Sequence, residues 1–135
     1  METPMLTPPA EDKPVKRILV IEDDPVGREM LNDCLTARGY QVMWAGNGAE
    51  GVELAKLVSP HLVLCDVLLP KKSGFEVCFE LKRHGARVPV VLMSAILQGA
   101  AEQRYAKQDL KADAYLVKPF KMSTMLARIE QLLAD

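Results

Sequence analysis

The chain has 135 residues, enough for one domain with a buried core. Hydrophobic residues make up 49% and charged residues 26%, the proportions of a globular protein in water, and a net charge of −1 gives no bulk attraction to nucleic acid or to a membrane surface. No apolar run approaches the ~20 residues needed to cross a bilayer, and the leader METPMLTPPAEDKPVK has no signal-peptide core. A cytoplasmic protein is expected, without membrane contact. Cys34, Cys65 and Cys78 form no CxxC pair and no metal-ligand spacing, so they read as small hydrophobes in a reducing compartment.

Residues 1–15 read as a flexible tail, because Pro4, Pro8, Pro9 and Pro14 fall there and no helical or strand period does. Arg17–Ile21 is an apolar strand that stops at Glu22. Pro25–Arg38 is a helix, with Asp24 as its cap, Pro25 in its first turn and Gly39 as its stop. Tyr40–Ala45 is a second strand, and Asn47 opens a helix that ends before Pro60. His61–Cys65 is a third strand reaching Asp66, and the loop Val67–Ser73 leads into a helix over Gly74–Arg83. Pro89–Met93 is a fourth strand reaching Ser94. A mostly polar helix is predicted from about Gln98 to Asp109, then a fifth strand over Ala114–Val117 that ends at Lys118, and an amphipathic helix over Met122–Ala134.

Five strand–helix units in this length require a parallel sheet covered on both faces. The first, third and fourth strands are almost wholly apolar, as doubly covered strands should be. Right-handed crossovers then favour an α/β, doubly wound, five-stranded parallel sheet of order 2-1-3-4-5, a flavodoxin-like architecture. In that order the carboxyl ends of the first and third strands are neighbours at the topological switch point. Glu22, Asp23 and Asp66 therefore converge there, with Ser94 and Lys118 beside them. Three carboxylates in one crevice repel unless a hard cation such as Mg²⁺ or Mn²⁺ shares them. A carboxylate so held can act as a nucleophile toward phosphorus. Taken alone, Asp66 would be a strand-end capping residue; its company favours the chemical role.

The segments ILVIEDD at 18–24, LVLCDVLLP at 62–70 with Gly74 following, Ser94-Ala95, and YLVKPF at 115–120 resemble the response-regulator receiver domains of two-component signalling, of the chemotaxis-regulator kind. The resemblance covers residues 16–135. It implies that Asp66 is the phosphoacceptor and that Glu22, Asp23, Asp66 and the backbone carbonyl of Leu68 hold the metal. It further implies that Ser94, Ala95 and Lys118 bind the phosphoryl group, that Ser94 and Tyr115 form the switch, and that the Lys118–Pro119 bond is cis. The implied donor is a sensor histidine kinase or a histidine phosphotransfer protein. The implied output is a partner or domain meeting the face of the fourth helix, fifth strand and fifth helix, with a phosphorylation-dependent dimer as a further option and no direct nucleic-acid contact by this domain. The chain would catalyse only its own phosphorylation and dephosphorylation.

The chain departs from the family pattern in three places. The stretch from Ser94 to Lys118 is about two residues longer than usual, so the fourth helix or its flanks should differ. Lys111-Ala112 stands where Gly-Ala is usual, which removes a glycine helix stop. Leu68 and Ile96 are apolar at the border of the site, which implies slow loss of the phosphoryl group. Two other readings compete: a receiver-like interaction module that works without phosphate, whose sign would be loss of the acids or the lysine, and a flavodoxin-like cofactor binder, which the acidic EDDPVGRE loop disfavours.

Overall fold

The computed structural model describes residues 14–83 and 87–134. Strands β1 (Arg17–Ile21), β2 (Gln41–Ala45), β3 (Leu62–Asp66), β4 (Val90–Ser94) and β5 (Ala114–Val117) form one parallel sheet of order β2-β1-β3-β4-β5. Helices α1 (Pro25–Ala37), α2 (Gly48–Val58), α3 (Gly74–Arg83), α4 (Ala100–Arg104) and α5 (Met122–Leu133) cover its two faces. The strand order is the one the sequence implies.

Strand alternation sorts the core into two layers. Leu19, Ile21, Val63, Cys65, Val90 and Leu92 face α2, α3 and the α4 region, where Val52, Val77, Cys78, Leu97 and Leu110 meet them. Ile18, Val20, Leu62, Leu64, Val91 and Met93 face α1 and α5, packing on Leu31, Leu35, Met125 and Ile129. Burial of each such aliphatic side chain stabilises the fold by roughly 1.5–3 kcal/mol relative to exposure. The three central strands therefore form a rigid floor, and their carboxyl ends are fixed points for whatever side chains stand there.

Local chemistry sets the helix starts. The Gly27 N–H donates to Asp24 Oδ2 at 3.1 Å, with Pro25 in the first turn of α1. The Glu50 N–H donates to Asn47 Oδ1 at 2.9 Å. Ser73 and Glu76 form a reciprocal capping box at the start of α3, the Glu76 N–H on Ser73 Oγ and the Ser73 N–H on Glu76 Oε1. Gly39 ends α1 with φ +90°, a left-handed backbone that glycine adopts without steric cost.

The polar helix predicted from about Gln98 to Asp109 is present from Ala100 to Asp109, but it is not one regular α-helix. Ala95–Gln98 is a 3₁₀ turn, α4 spans only Ala100–Arg104, and Tyr105–Asp109 is a π turn. The π turn closes with the Leu110 N–H on the Tyr105 carbonyl at 3.0 Å and the Ala112 N–H on the Ala106 carbonyl at 2.9 Å. A π turn takes up an extra residue without moving the flanking elements, so part of the added length is absorbed inside the helix. Lys111 then has φ +61°, so the left-handed stop is kept although its glycine is not.

The tail predicted over residues 1–15 lies outside the described residues, apart from Pro14 and Val15, which carry no regular structure. His84 also lies outside them. Among the described residues no helix is long and apolar enough to cross a membrane. His61 is structural: its Nδ1 accepts the Arg17 N–H at 2.9 Å, at the sheet end remote from the acids.

Candidate functional site

The acids, the serine and the lysine singled out in the sequence stand at the carboxyl ends of strands. Asp66 closes β3 and Ser94 closes β4, while Glu22 follows β1 and Lys118 follows β5. Glu22, Asp66 and Ser94 are the buried polar side chains among the described residues, at 3%, 6% and 1% exposure. A buried charge requires a partner, and Lys118 supplies it: its Nζ donates to Asp66 Oδ2 at 2.7 Å and to Glu22 Oε1 at 3.0 Å. Lys118 is positioned by its own N–H on the Ser94 carbonyl and by the cis Lys118–Pro119 bond that follows. The second oxygen of Asp66 accepts the Leu68 N–H at 3.2 Å.

The electrostatics follow from burial. Burial raises the Glu22 carboxyl above its usual value, against the hydrogen bond from Lys118, and the neighbouring Asp66 charge adds to the rise. For Lys118, burial is the largest influence and acts downward, but the hydrogen bonds it donates to Asp66 and Glu22, together with their charges, outweigh it and hold the ammonium above its usual range. The lysine is charged at neutral pH, and its ammonium is shared by the two buried carboxylates, Asp66 and Glu22.

Glu22, Asp23 and Asp66 each offer a carboxylate oxygen within 4.8 Å of the others. Oxygen ligands around an octahedral Mg²⁺ with ~2.1 Å bonds lie roughly 3–4.2 Å apart. The donor set and its spread suit a hard divalent cation after a small contraction. Asp23 is exposed at the mouth, while Glu22 and Asp66 lie behind it. Asp24 accepts the Gly27 N–H as the cap of α1, and the carboxylates that gather are those of Glu22, Asp23 and Asp66.

Several supporting groups were not visible in the sequence. Arg28 Nη1 donates to the Glu22 carbonyl at 3.0 Å, and its guanidinium lies 3.7 Å from the centre of the half-exposed Trp44 ring. The Asp24 N–H reaches Glu22 Oε2 at 3.3 Å. Gly74 lets α3 begin against the loop after Asp66: a Cβ there would overlap the Asp66 carbonyl and lie 2.7 Å from Val67 Cα. Gly48 likewise admits the Lys72 carbonyl, and its N–H donates to the Pro70 carbonyl at 3.2 Å. An arginine in a first helical turn and a glycine at a helix start carry no pattern that separates such roles from ordinary ones.

The two residues expected to form a switch share one face of the sheet. Ser94 pairs with Val117, and Tyr115 pairs with Leu92 one alternation earlier, so Ser94 and Tyr115 both face the α4 side. Ser94 Oγ accepts the Ile96 N–H at 3.3 Å and caps the 3₁₀ turn that leads to α4. Tyr115 is half-buried below α4 and the π turn. Ala95 is exposed beside Lys118 in a hollow at the site's edge. Leu68 and Ile96 are both exposed, at 63% and 37%, and neither seals the site in this state.

Comparison with known proteins agrees with this geometry. The family model described as the response regulator receiver domain matches residues 18–130. The DNA-binding dual master transcriptional regulator RpaA of Synechocystis is 40% identical over 119 residues, covering 87% of this chain and 48% of that protein; the chain spans about half the length of such relatives. A putative response regulator from Chloroflexus aurantiacus superimposes with a TM-score of 0.81 at 30% identity, covering 90% of this chain and all of the other. The receiver domain of a Pseudomonas aeruginosa sensor histidine kinase, with a magnesium ion coordinated in its active-site cleft, superimposes with a TM-score of 0.80 at 25% identity, covering 90% of this chain and 100% of that one.

Proposed function

This chain belongs to the response regulator receiver domain family, and from that premise we propose that Asp66 accepts a phosphoryl group from a phosphohistidine and that the modification reshapes the face formed by α4, β5 and α5. The observation that carries this reading is the buried Asp66 carboxylate held by one ammonium and flanked by Glu22 and Asp23 at the switch point of the sheet. A merely structural aspartate needs one partner, not two further acids across the same crevice.

The step is a phosphoryl transfer. An Asp66 carboxylate oxygen forms the new P–O bond. The P–N bond to the donor imidazole breaks, and its electron pair stays on the nitrogen. The donor is a sensor histidine kinase or a phosphotransfer protein. Mg²⁺ held by Glu22, Asp23, Asp66 and the Leu68 carbonyl would neutralise charge on the transferring oxygens, and the relative with a coordinated magnesium supports that assignment. Lys118, already hydrogen-bonded to Asp66, adds the fixed positive charge from the protein side. The chain catalyses no reaction beyond its own modification.

The signal leaves through Ser94. Its hydroxyl now caps the 3₁₀ turn through the Ile96 N–H. Turning that hydroxyl toward the phosphoryl oxygens removes the cap, loosens the start of α4 and frees space on the sheet face where Tyr115 stands. The phosphoryl group shifts the population of the two arrangements only by its differential stabilisation of the second. Incubation with acetyl phosphate and Mg²⁺ tests the assignment. Wild-type protein should gain a phosphoryl group and Asp66→Asn should not; equal labelling of the two would overturn it.

A further inference from the structure

A second hollow lies at the other end of the sheet from Asp66, where β3 and β4 begin. It encloses about 470 Å³, within the range of roughly 300–1,000 Å³ usual for small-molecule sites. Its walls are apolar: Ala55 of α2, Leu81 of α3, and Val88 and Pro89 ahead of β4. Lys56, His61 and Arg87 also line it, and no carboxylate does. Lys56 reaches Glu53 only at 3.8 Å, and Arg87 forms no ion pair among the described residues. His61 Nδ1 accepts the Arg17 N–H, so the neutral ring carries its proton on Nε2, a donor with no partner among the described residues. The walls are fixed from behind. Arg17 Nε and Nη2 donate to the Val58 and Ser59 carbonyls at 3.3 and 2.6 Å, and Lys82 Nζ donates to the Val88 carbonyl at 3.0 Å. The same contacts offset the partial negative charge that two helix C-termini would bring here: Arg17 takes the last carbonyls of α2, and Lys82 and Arg83 stand in the last turn of α3.

We propose that this hollow binds a small organic carboxylate with an apolar body. The walls gain by burying hydrocarbon. Lys56, Arg87 and the His61 N–H select a negatively charged head, through hydrogen bonds that charge strengthens. An inorganic anion would leave the apolar walls unused, and an organic amine would meet two cations and no acid. The enclosed shape suits a small molecule better than a flat protein surface. His61 and Asp66 stand at opposite ends of β3, so the proposal does not rest on the phosphorylation reading.

Octanoate is the probe, kept below its micellar range. Octanol is its neutral counterpart, octylammonium its cationic one, and inorganic phosphate supplies an anion without an apolar body. Chemical-shift titration of the wild-type protein needs no variant. Octanoate should perturb the amides of Ala55, Leu81 and Val88 in a saturable way. It should bind about fivefold more tightly than octanol, the sum expected for two exposed ion pairs, and octylammonium and phosphate should bind more weakly still. The double variant Lys56→Gln/Arg87→Gln should bind octanoate and octanol equally well. Both side chains are exposed, and circular dichroism checks the variant's fold. Shifts confined to another surface, absence of saturable binding, or octanol, octylammonium or phosphate binding as tightly as octanoate would each overturn the proposal. So would a double variant that folds and keeps the full preference for octanoate.

Discussion

Replacing Lys111 by glycine should stabilise the domain. Lys111 has φ +61° at the end of the π turn, directly after Leu110 and before the Ala112 N–H that closes onto Ala106. A residue with a Cβ in that backbone region pays about 1–2 kcal/mol in steric strain. Glycine removes the strain but loses about 0.5–1 kcal/mol through the larger entropy of its unfolded chain. The net gain is about 0.5–1 kcal/mol, or a rise in melting temperature of roughly 2–4 °C for a domain of this size. Thermal and urea unfolding followed by circular dichroism would measure it. Lys111→Ala is the control, since it removes the charge but keeps the Cβ, and it should move stability by less than about 0.5 kcal/mol. If glycine proves no better than alanine, the left-handed backbone is not where the strain lies, and the account of the helix stop fails.

Other substitutions probe the site's supports. Gly74→Ala should cost about 2–3 kcal/mol, because its Cβ would meet backbone rather than a movable side chain; denaturant unfolding reads this, and a neutral result would mean the loop after Asp66 gives way easily. Lys118→Met should destabilise by about 2 kcal/mol near neutral pH, less than a fully buried pair would because the lysine is one-third exposed. Its sign with pH follows from Glu22, whose folded pKa lies above the unfolded value: that contribution is present at low pH and lost as pH rises through the folded pKa. Without Lys118 the loss is larger, so variant and wild type should converge near pH 4 and diverge toward about pH 7 in melts across that range; a constant difference would make the lysine a packing residue. Asp23→Ala should weaken Mg²⁺ binding at least about tenfold by calorimetry. Arg28→Ala should weaken the Trp44 fluorescence response to Mg²⁺ while leaving calorimetric binding in place, since the Arg28 guanidinium lies over that ring and donates to the Glu22 carbonyl; an undiminished response would show another route.

The legible parts of this molecule are those whose physics is local. Asp24-Pro25, Asn47 and the apolar runs of β1, β3 and β4 each carry their own start, stop or burial signal, and the strand order follows from connection rules that hold across parallel sheets. The site was readable for the same reason: Asp66, Ser94 and Lys118 stand where an apolar run stops, and the topology alone brings those stops together. The inner hydrogen bonding of the α4 region was not readable. Its residues are polar with little period, and the choice among 3₁₀, α and π hydrogen bonding depends on where Leu97, Ala106 and Leu110 must land on the sheet. Lys111 shows the same limit, because tertiary placement holds it in a backbone conformation that its side chain disfavours. The Arg28 bridge and the contacts at Gly48 and Gly74 link elements distant in sequence, so only the assembled fold reveals them.

The central claim is that Asp66 receives phosphorus from histidine. Transfer from a radiolabelled phosphohistidine donor, followed by proteolysis and mapping of the label, tests it most directly. The account predicts Mg²⁺-dependent label on the peptide that contains Asp66, labile to hydroxylamine as an acyl phosphate is. Label on another residue, or none from a donor that phosphorylates a known receiver domain in parallel, would contradict it.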